Sequence, residues 1–322
     1  ATGAYTRVFS AAAVMTEAVL ILGGGGFVGR SLTRALALKG TPVITVNRGT
    51  PGLEHPLVES IVGELREPAA FASLLERSRA VVHLATTSTP GTSAVQPLQE
   101  VNTNLHVTAA LLQALQEHTE VELLYMSSGG SLYADTSGSP SDEDARVHPR
   151  SYHGAAKLAS EYFISAWCDQ FHGKATLLRP SNIYGPGQPE RPGFGIIPAA
   201  FGKIRRSETL HVWGDGSVRR DYIYIDDLVR LCSMILDTPM PEGTRVFNAC
   251  SGTSVSLNEL FDAVEEATGK PLHRSYDAGR TVDASCIAMS AAYAAKVYGW
   301  HHQTSLKAGL TQTWEWIGRA IS

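Results

Sequence analysis

Residues 18–39 constrain the fold of this chain more than any other stretch. Ala18–Leu22 is a run of five apolar residues that suits a buried strand, and it leads straight into Gly23-Gly24-Gly25-Gly26. From Phe27 to Lys39 the apolar residues return at helical spacing. Gly23, Gly26 and Gly29 make the pattern G-x-x-G-x-x-G. A strand, a glycine turn and a helix in that order let the backbone approach a pyrophosphate, whose charge then faces the helix N-terminus. A plain glycine-rich turn has the same composition, so the rest of the chain must separate the two readings.

The first half of the chain repeats this alternation. Strands are predicted at Ala18–Leu22, Pro42–Asn47, Ala80–Leu84, Glu122–Ser127 and Ala175–Pro180, with helices at Phe27–Lys39, Pro68–Arg77, Pro97–Glu117 and Tyr152–Phe171. Apolar strands separated by helices predict an α/β fold, a doubly wound parallel sheet covered on both faces. After Pro180 the pattern breaks in a loop rich in Gly and Pro (residues 184–195), and shorter elements follow. The expected organisation is a dinucleotide-binding (Rossmann) domain over 16–181, with segments near 221–250 returning to it. A smaller C-terminal substrate-binding lobe is expected from 182–220 and 251–322. Residues 1–15 do not match the remainder of the chain and are expected to be a remnant or loose extension, with Met15 the native start.

Composition excludes several classes. The net charge is −4 with no basic block, which argues against nucleic acid or an anionic membrane as a partner. No apolar run approaches the ~20 residues of a membrane span. Cys168, Cys232, Cys250 and Cys286 are widely spaced with no C-x-x-C pair, so buried thiols in a reducing cytoplasm are expected. His55, His118 and the His301-His302 pair lack spaced partners, and no metal site is expected.

In open α/β sheets, ligands sit at the carboxyl ends of the strands. Here those ends are Gly23–Gly29, Asn47-Arg48, Leu84-Ala85-Thr86, Ser127–Tyr133 and Arg179–Tyr184, which should line one crevice. Asn47 follows Gly23 by 24 residues, where an NAD site usually places an acidic residue on the ribose, and Arg48 is the type of side chain that accepts the phosphate of NADP. NAD is the expected cofactor, with NADP left open.

Read together, these segments resemble the extended short-chain dehydrogenase/reductase family, in its branch of nucleotide-sugar epimerases and dehydratases. The resemblance rests on Gly-Gly-Gly-Gly-Phe-Val-Gly (23–29), Gly-Glu-Leu-Arg (63–66), His-Leu-Ala (83–85), Asn-Leu-His-Val-Thr (104–108), Ser-Ser-Gly-Gly-Ser-Leu-Tyr (127–133), Arg-Pro-Ser-Asn-Ile-Tyr-Gly-Pro-Gly-Gln (179–188), Trp-Gly-Asp-Gly-Ser-Val-Arg-Arg-Asp-Tyr-Ile-Tyr-Ile-Asp-Asp (213–227) and Tyr-Gly-Trp (298–300). They occur in family order from about residue 16 to 318. The resemblance implies a nucleotide-diphosphate sugar as substrate, oxidised transiently at C4. It implies a cofactor site made by Gly23, Gly26, Phe27, Val28, Gly29, Asn47, Arg48, Glu64, Leu65, Leu84, Ala85, Thr86, Asn104, Ser127, Lys157 and Pro180. On the substrate side it implies Gly129, Tyr133 and Asn182, with Arg220 and Arg280 gripping the diphosphate through planar, permanently charged forks. A homodimer through helices at about 97–117 and 152–171 is also implied.

The family's Y-x-x-x-K pair puts a basic Tyr one helical turn before a Lys, and a Ser or Thr at the end of strand five shares the substrate hydroxyl. This chain departs at both places. Residues 151–158 read Ser-Tyr-His-Gly-Ala-Ala-Lys-Leu, which sets His153, not Tyr, on the same helix face as Lys157. Tyr152 stands five residues away and is rotated off that face. His153 is therefore the expected general base. The strand-five position falls on Gly129, leaving Ser131, or Ser128, to supply the hydroxyl. Because both catalytic positions are changed while the binding segments remain, water elimination from a UDP-hexose or UDP-N-acetylhexosamine, of the 4,6- or 5,6-dehydratase type, is the expected outcome. A 4-epimerase using His153, or a catalytically silent nucleotide-sugar-binding protein, are the alternatives.

Overall fold

The computed structural model describes residues 6–7, 17–49, 52–89, 96–136, 139–279 and 284–319. Its centre is a parallel sheet of seven strands: β1 (Ala18–Leu22), β2 (Val43–Asn47), β3 (Val58–Val62), β4 (Ser78–His83), β5 (Glu122–Met126), β6 (Lys174–Pro180) and β7 (Gly243–Ala249). They lie in the order β3-β2-β1-β4-β5-β6-β7, and Thr6–Arg7 adds a short antiparallel edge to β3. This is the doubly wound order, with its switch point between β1 and β4.

Alternation along β1 shows how the two faces are built. Val19 and Ile21 join one core with Leu32 and Leu36 of α1 (Phe27–Leu38). Ala18, Leu20 and Leu22 join the other. That second core holds Leu111 and Leu115 of α2 (His106–Leu115) and Ile164 and Trp167 of α3 (Tyr152–Phe171). Successive strand side chains point to opposite faces, so a strand that is apolar throughout needs helices on both. The helix α4 (Ile225–Leu236) packs against α1 and adds Leu228 and Leu231 to the first core.

Two of the seven parallel strands, β3 and β7, are not among those predicted from the sequence. β3 carries Glu59 and Ser60 within an otherwise apolar run, and β7 begins with Gly243-Thr244-Arg245. Polar residues masked the pattern, although Glu59 is buried by pairing with Arg77. The predicted helix Pro68–Arg77 is instead two short turns, Pro68–Ala70 and Ala72–Leu75. The predicted helix Pro97–Glu117 is interrupted: Glu100–Leu105 is a π-helical turn before α2.

Beyond β6 the smaller lobe is built around Arg219–Tyr224. That strand pairs with Asn182–Tyr184 and Cys286–Ile287 in parallel and with Ser254–Ser256 antiparallel. Leu210–Trp213 pairs with Arg274–Asp277. Among the described residues no helix is long and apolar enough to cross a membrane.

Candidate active site

The glycine turn after β1 has the shape of a phosphate cradle. Gly23 has φ +87°, a left-handed conformation that side chains strain to adopt, and a Cβ there would meet the Ala85 nitrogen at 3.0 Å. A Cβ on Gly29 would lie 2.7 Å from the Gly24 Cα and closer still to the Gly23 oxygen. The glycines thus bring the β1 turn against the β4 loop and seat the first turn of α1 on its own lead-in. Gly26, which receives no side-chain cap, is exposed at the helix N-terminus. Open backbone N–H groups at the head of a helix fit a pyrophosphate.

A cavity of about 1230 Å³ opens beside this cradle, between the carboxyl ends of the sheet strands and the smaller lobe. Phe27, Val28, Leu84, Thr86, Ser127, Lys157 and Pro180 line it, as do Ser128, Ser131, Tyr133, His153, Asn182 and Arg220. The structure therefore gathers most of the expected residues on one wall. Others stand elsewhere. Gly129 is not on that wall, and Leu65 is packed in the apolar core. Glu64 is exposed and paired with Arg66 at 3.0 Å, and Arg48 is exposed after β2. The Asn47 side chain is buried, accepting from the Gly25 N–H and donating to Thr45 Oγ1 at 3.3 Å, so it braces the glycine turn. Arg280 lies outside the described residues.

Ser151 caps α3, accepting from the Gly154 N–H at 3.1 Å, and this sets the helix start that puts His153 and Lys157 on one face. Lys157 Nζ donates to the Met126 carbonyl at 2.7 Å and lies 4.8 Å from the centre of the Tyr125 ring. Burial pushes its amine down to about 8, against the pull of Glu100 and Glu161. Burial, reinforced by Lys157, pushes the His153 imidazole down to about 4. At neutral pH His153 is uncharged, and Lys157 is the member of the pair that titrates nearby.

His153 Nδ1 lies 3.0 Å from Ser88 Oγ. Asn104 Nδ2 donates to Ser88 Oγ at 2.9 Å and to Glu100 Oε2 at 2.6 Å. Asn104 thus ties the loop after β4 to the π-helical turn and does not line the cavity. The sequence reading missed Ser88 and Glu100. The hydroxyl run Thr86-Thr87-Ser88-Thr89 and the four-residue step from Glu100 to Asn104 were the available signals.

At the strand-five position, a Cβ on Gly129 would lie 2.6 Å from Met289 Sδ and closer still to its Cε. Met289, 1% exposed, occupies the room a larger side chain would need. Ser128 Oγ donates to Ser131 Oγ at 3.1 Å, and both face the cavity. The Tyr133 hydroxyl donates to Asn248 Oδ1 at 2.7 Å and accepts from Arg179 at 3.1 Å. Arg179 also forms a two-pronged buried pair with Glu161, which accepts from Ser127 as well. In the smaller lobe, Asn182 Nδ2 donates to the Asp221 carbonyl at 2.9 Å, and Arg220 donates to the Ala284 carbonyl at 2.8 Å. Tyr152, His211 and Trp213 also border the cavity.

The geometry has counterparts. The chain is 30% identical over 317 residues to the dTDP-4-dehydro-6-deoxy-D-allose reductase of Streptomyces bikiniensis, covering 93% of this chain and 95% of that one. Its fold matches the UDP-glucose 4-epimerase of Thermotoga maritima, solved with UDP-glucose, at a TM-score of 0.88 and 27% identity over 94% of this chain and 99% of that one. It matches MoeE5, solved with UDP-glucose and NAD, at a TM-score of 0.86 and 28% identity over 95% and 100%. The profile described as the NAD dependent epimerase/dehydratase family matches residues 19–250. The chain belongs to the NAD dependent epimerase/dehydratase family.

Proposed function

We propose that this protein uses NAD to modify a UDP-linked hexose or N-acetylhexosamine through transient oxidation at C4, with elimination of water as the outcome. The carrying observation is the wall on which His153 and Lys157 stand, together with the filled place beside Gly129. The pair that serves a simple oxidation and return in this family is replaced at both positions. In its outcome the protein resembles the UDP-N-acetylglucosamine 5,6-dehydratase of tunicamycin biosynthesis.

NAD, when bound, supplies the hydride acceptor at C4. Gly23, Gly26 and Gly29 would hold its pyrophosphate, and Phe27, Leu84, Ser127, Lys157 and Pro180 its reactive end. MoeE5, with a like fold, is solved with NAD, which supports this choice. His153 meets the C4 oxygen. Lys157 holds a positive charge behind it, and its amine exchanges a proton in the range near pH 8. Ser128 and Ser131 offer hydroxyls to the sugar. Arg220 in the smaller lobe faces the diphosphate. A ketone at C4 acidifies the hydrogen at C5, and loss of that proton lets the C6 hydroxyl leave as water; return of the hydride to C4 would then restore the C4 alcohol and leave a double bond between C5 and C6.

A 4-epimerase is the second reading, favoured by the likeness to the Thermotoga maritima enzyme. The two separate in one assay: incubation with a panel of UDP-hexoses in deuterated water, followed by mass and proton NMR. Loss of one water with new vinylic protons supports elimination. Interconversion at unchanged composition supports epimerisation. No change in any sugar overturns both. We also propose a homodimer, supported by the exposed Leu98, Val101, Tyr162 and Phe163 on the segments before α2 and on α3. Sedimentation at micromolar concentration tests it, and a monomer would overturn it.

A further inference from the structure

The hydrogen bonds behind His153 form a train that ends on its ring, and the direction of its first members bears on the proton the ring carries. The backbone N–H of Thr87 donates to Asn104 Oδ1 at 2.9 Å. A backbone amide nitrogen can only donate, so this contact fixes which end of the Asn104 side chain is oxygen. The nitrogen end therefore faces Glu100 Oε2 at 2.6 Å and Ser88 Oγ at 2.9 Å, and its two hydrogens serve those two acceptors. Ser88 Oγ accepts from Asn104 and lies 3.0 Å from His153 Nδ1, the acceptor among the described residues to which its own hydrogen is assigned. A ring nitrogen that accepts carries no hydrogen, so the neutral imidazole bears its proton on Nε2.

We propose that Glu100, Asn104 and Ser88 are positioning residues that hold His153 as the Nε2–H tautomer, so that it donates a hydrogen bond to the C4 oxygen once that carbon is a ketone, while the hydroxyl proton released in the oxidation passes to the neutral amine of Lys157 on the same wall. The proposal rests on the reading that His153 meets the C4 oxygen, and it replaces the general-base role expected from the sequence. The reverse arrangement, with Nδ1–H donating to Ser88, would leave the Ser88 hydrogen without an acceptor among the described residues and turn it to the cavity, which Ser88 lines. The anchor of the train is Glu100, 3% exposed, with Oε2 on Asn104 and Oε1 without a partner among the described residues. The π-helical turn Glu100–Leu105 sets Glu100 and Asn104 in this relation, and such turns recur at functional sites. A donor at the C4 oxygen acts most strongly when that oxygen gains charge, as it does when a proton leaves C5.

The test is a two-bond proton–nitrogen correlation spectrum of the protein as purified, labelled with nitrogen-15 at the histidine rings, near neutral pH. His153→Gln identifies the signals of residue 153. The expected spectrum has an accepting, hydrogen-free Nδ1 and a hydrogen-bearing Nε2, and Ser88→Ala moves both nitrogens toward averaged values. A hydrogen on Nδ1 in the unaltered protein overturns the proposal. In turnover, His153→Phe should lose about 100-fold. His153→Gln, which keeps an N–H donor and has no basic nitrogen, should recover part of that loss. A Gln variant no better than Phe overturns the donor role. The expected spectrum with no turnover of any UDP-sugar would keep the tautomer and remove the function attached to it.

Discussion

Adding one methyl group at residue 129 should destabilise the protein, and shortening Met289 should return part of the loss. Gly129 is buried at the start of the short helix Gly129–Leu132 and is not among the glycines with positive φ, so alanine meets no backbone strain there. Its Cβ, however, would lie 2.6 Å from Met289 Sδ and 3.3 Å from the Arg179 carbonyl oxygen. Met289 packs among Tyr133, Cys250, Ala284 and Ile287 and is almost fully buried. Overpacking of this kind costs ~1–3 kcal/mol. Replacing a glycine returns ~0.5–1 kcal/mol by restricting the unfolded chain. Gly129→Ala should therefore lose on the order of 1 kcal/mol net, the two ranges combining to about 0–2.5 kcal/mol. Met289→Ala alone should lose ~2–5 kcal/mol through the cavity it opens. In the double variant the new methyl group occupies emptied space, so the sum of the single losses should exceed the measured loss by about 1–3 kcal/mol. Denaturant midpoints of the four proteins close the cycle. Additivity within about 0.5 kcal/mol would refute the claim that Met289 fills this position.

Three further outcomes are expected. Lowering the pH should weaken the fold, because burial holds His153 down to about 4 and His83 down to about 3 against an ordinary 6.5. Between these values the unfolded chain takes up protons that the folded chain does not, so stability is full above pH 6.5 and falls as the pH drops through the window. His153 alone accounts for about 3 kcal/mol of this, and urea midpoints of His153→Gln should show a shallower slope across it; an unchanged slope would contradict the assignment. Glu161→Gln should lose about 3–5 kcal/mol, because it leaves the Arg179 charge buried beside Tyr133; a thermal midpoint equal to that of the parent would show the pair to be dispensable. Arg220→Ala should weaken UDP binding by about 1.5–3 kcal/mol in titration calorimetry, and unchanged affinity would place the diphosphate elsewhere.

The local signals of the chain were legible because each depends on residues close in sequence. β1, the glycine turn and α1 follow from an apolar run, three glycines and a helical stripe. The helix Tyr152–Phe171 is read at its full length, since Ser151 caps it and the stripe persists to Phe171. The shared face of His153 and Lys157 follows from helical geometry alone. β3 and β7 escaped because their polar residues find partners only in the folded sheet. The helix predicted at 97–117 hid a π-helical turn, since local propensity does not reveal which carbonyl each N–H will choose.

What the sequence determined by itself was the class of the sheet, the place of the crevice at its strand ends and the register of the pair on α3. Each is a matter of period, and period is written along the chain. Tertiary structure alone decided which atoms face which. It turned Asn47 onto the Gly25 N–H, seated Met289 beside Gly129 from 160 residues away, and set Ser88 behind His153 across 65 residues. Those contacts join separate strand ends and separate lobes. They determine which proton His153 carries, and hence which chemistry is open to it, because a side chain's hydrogen-bond direction depends on every partner packed around it.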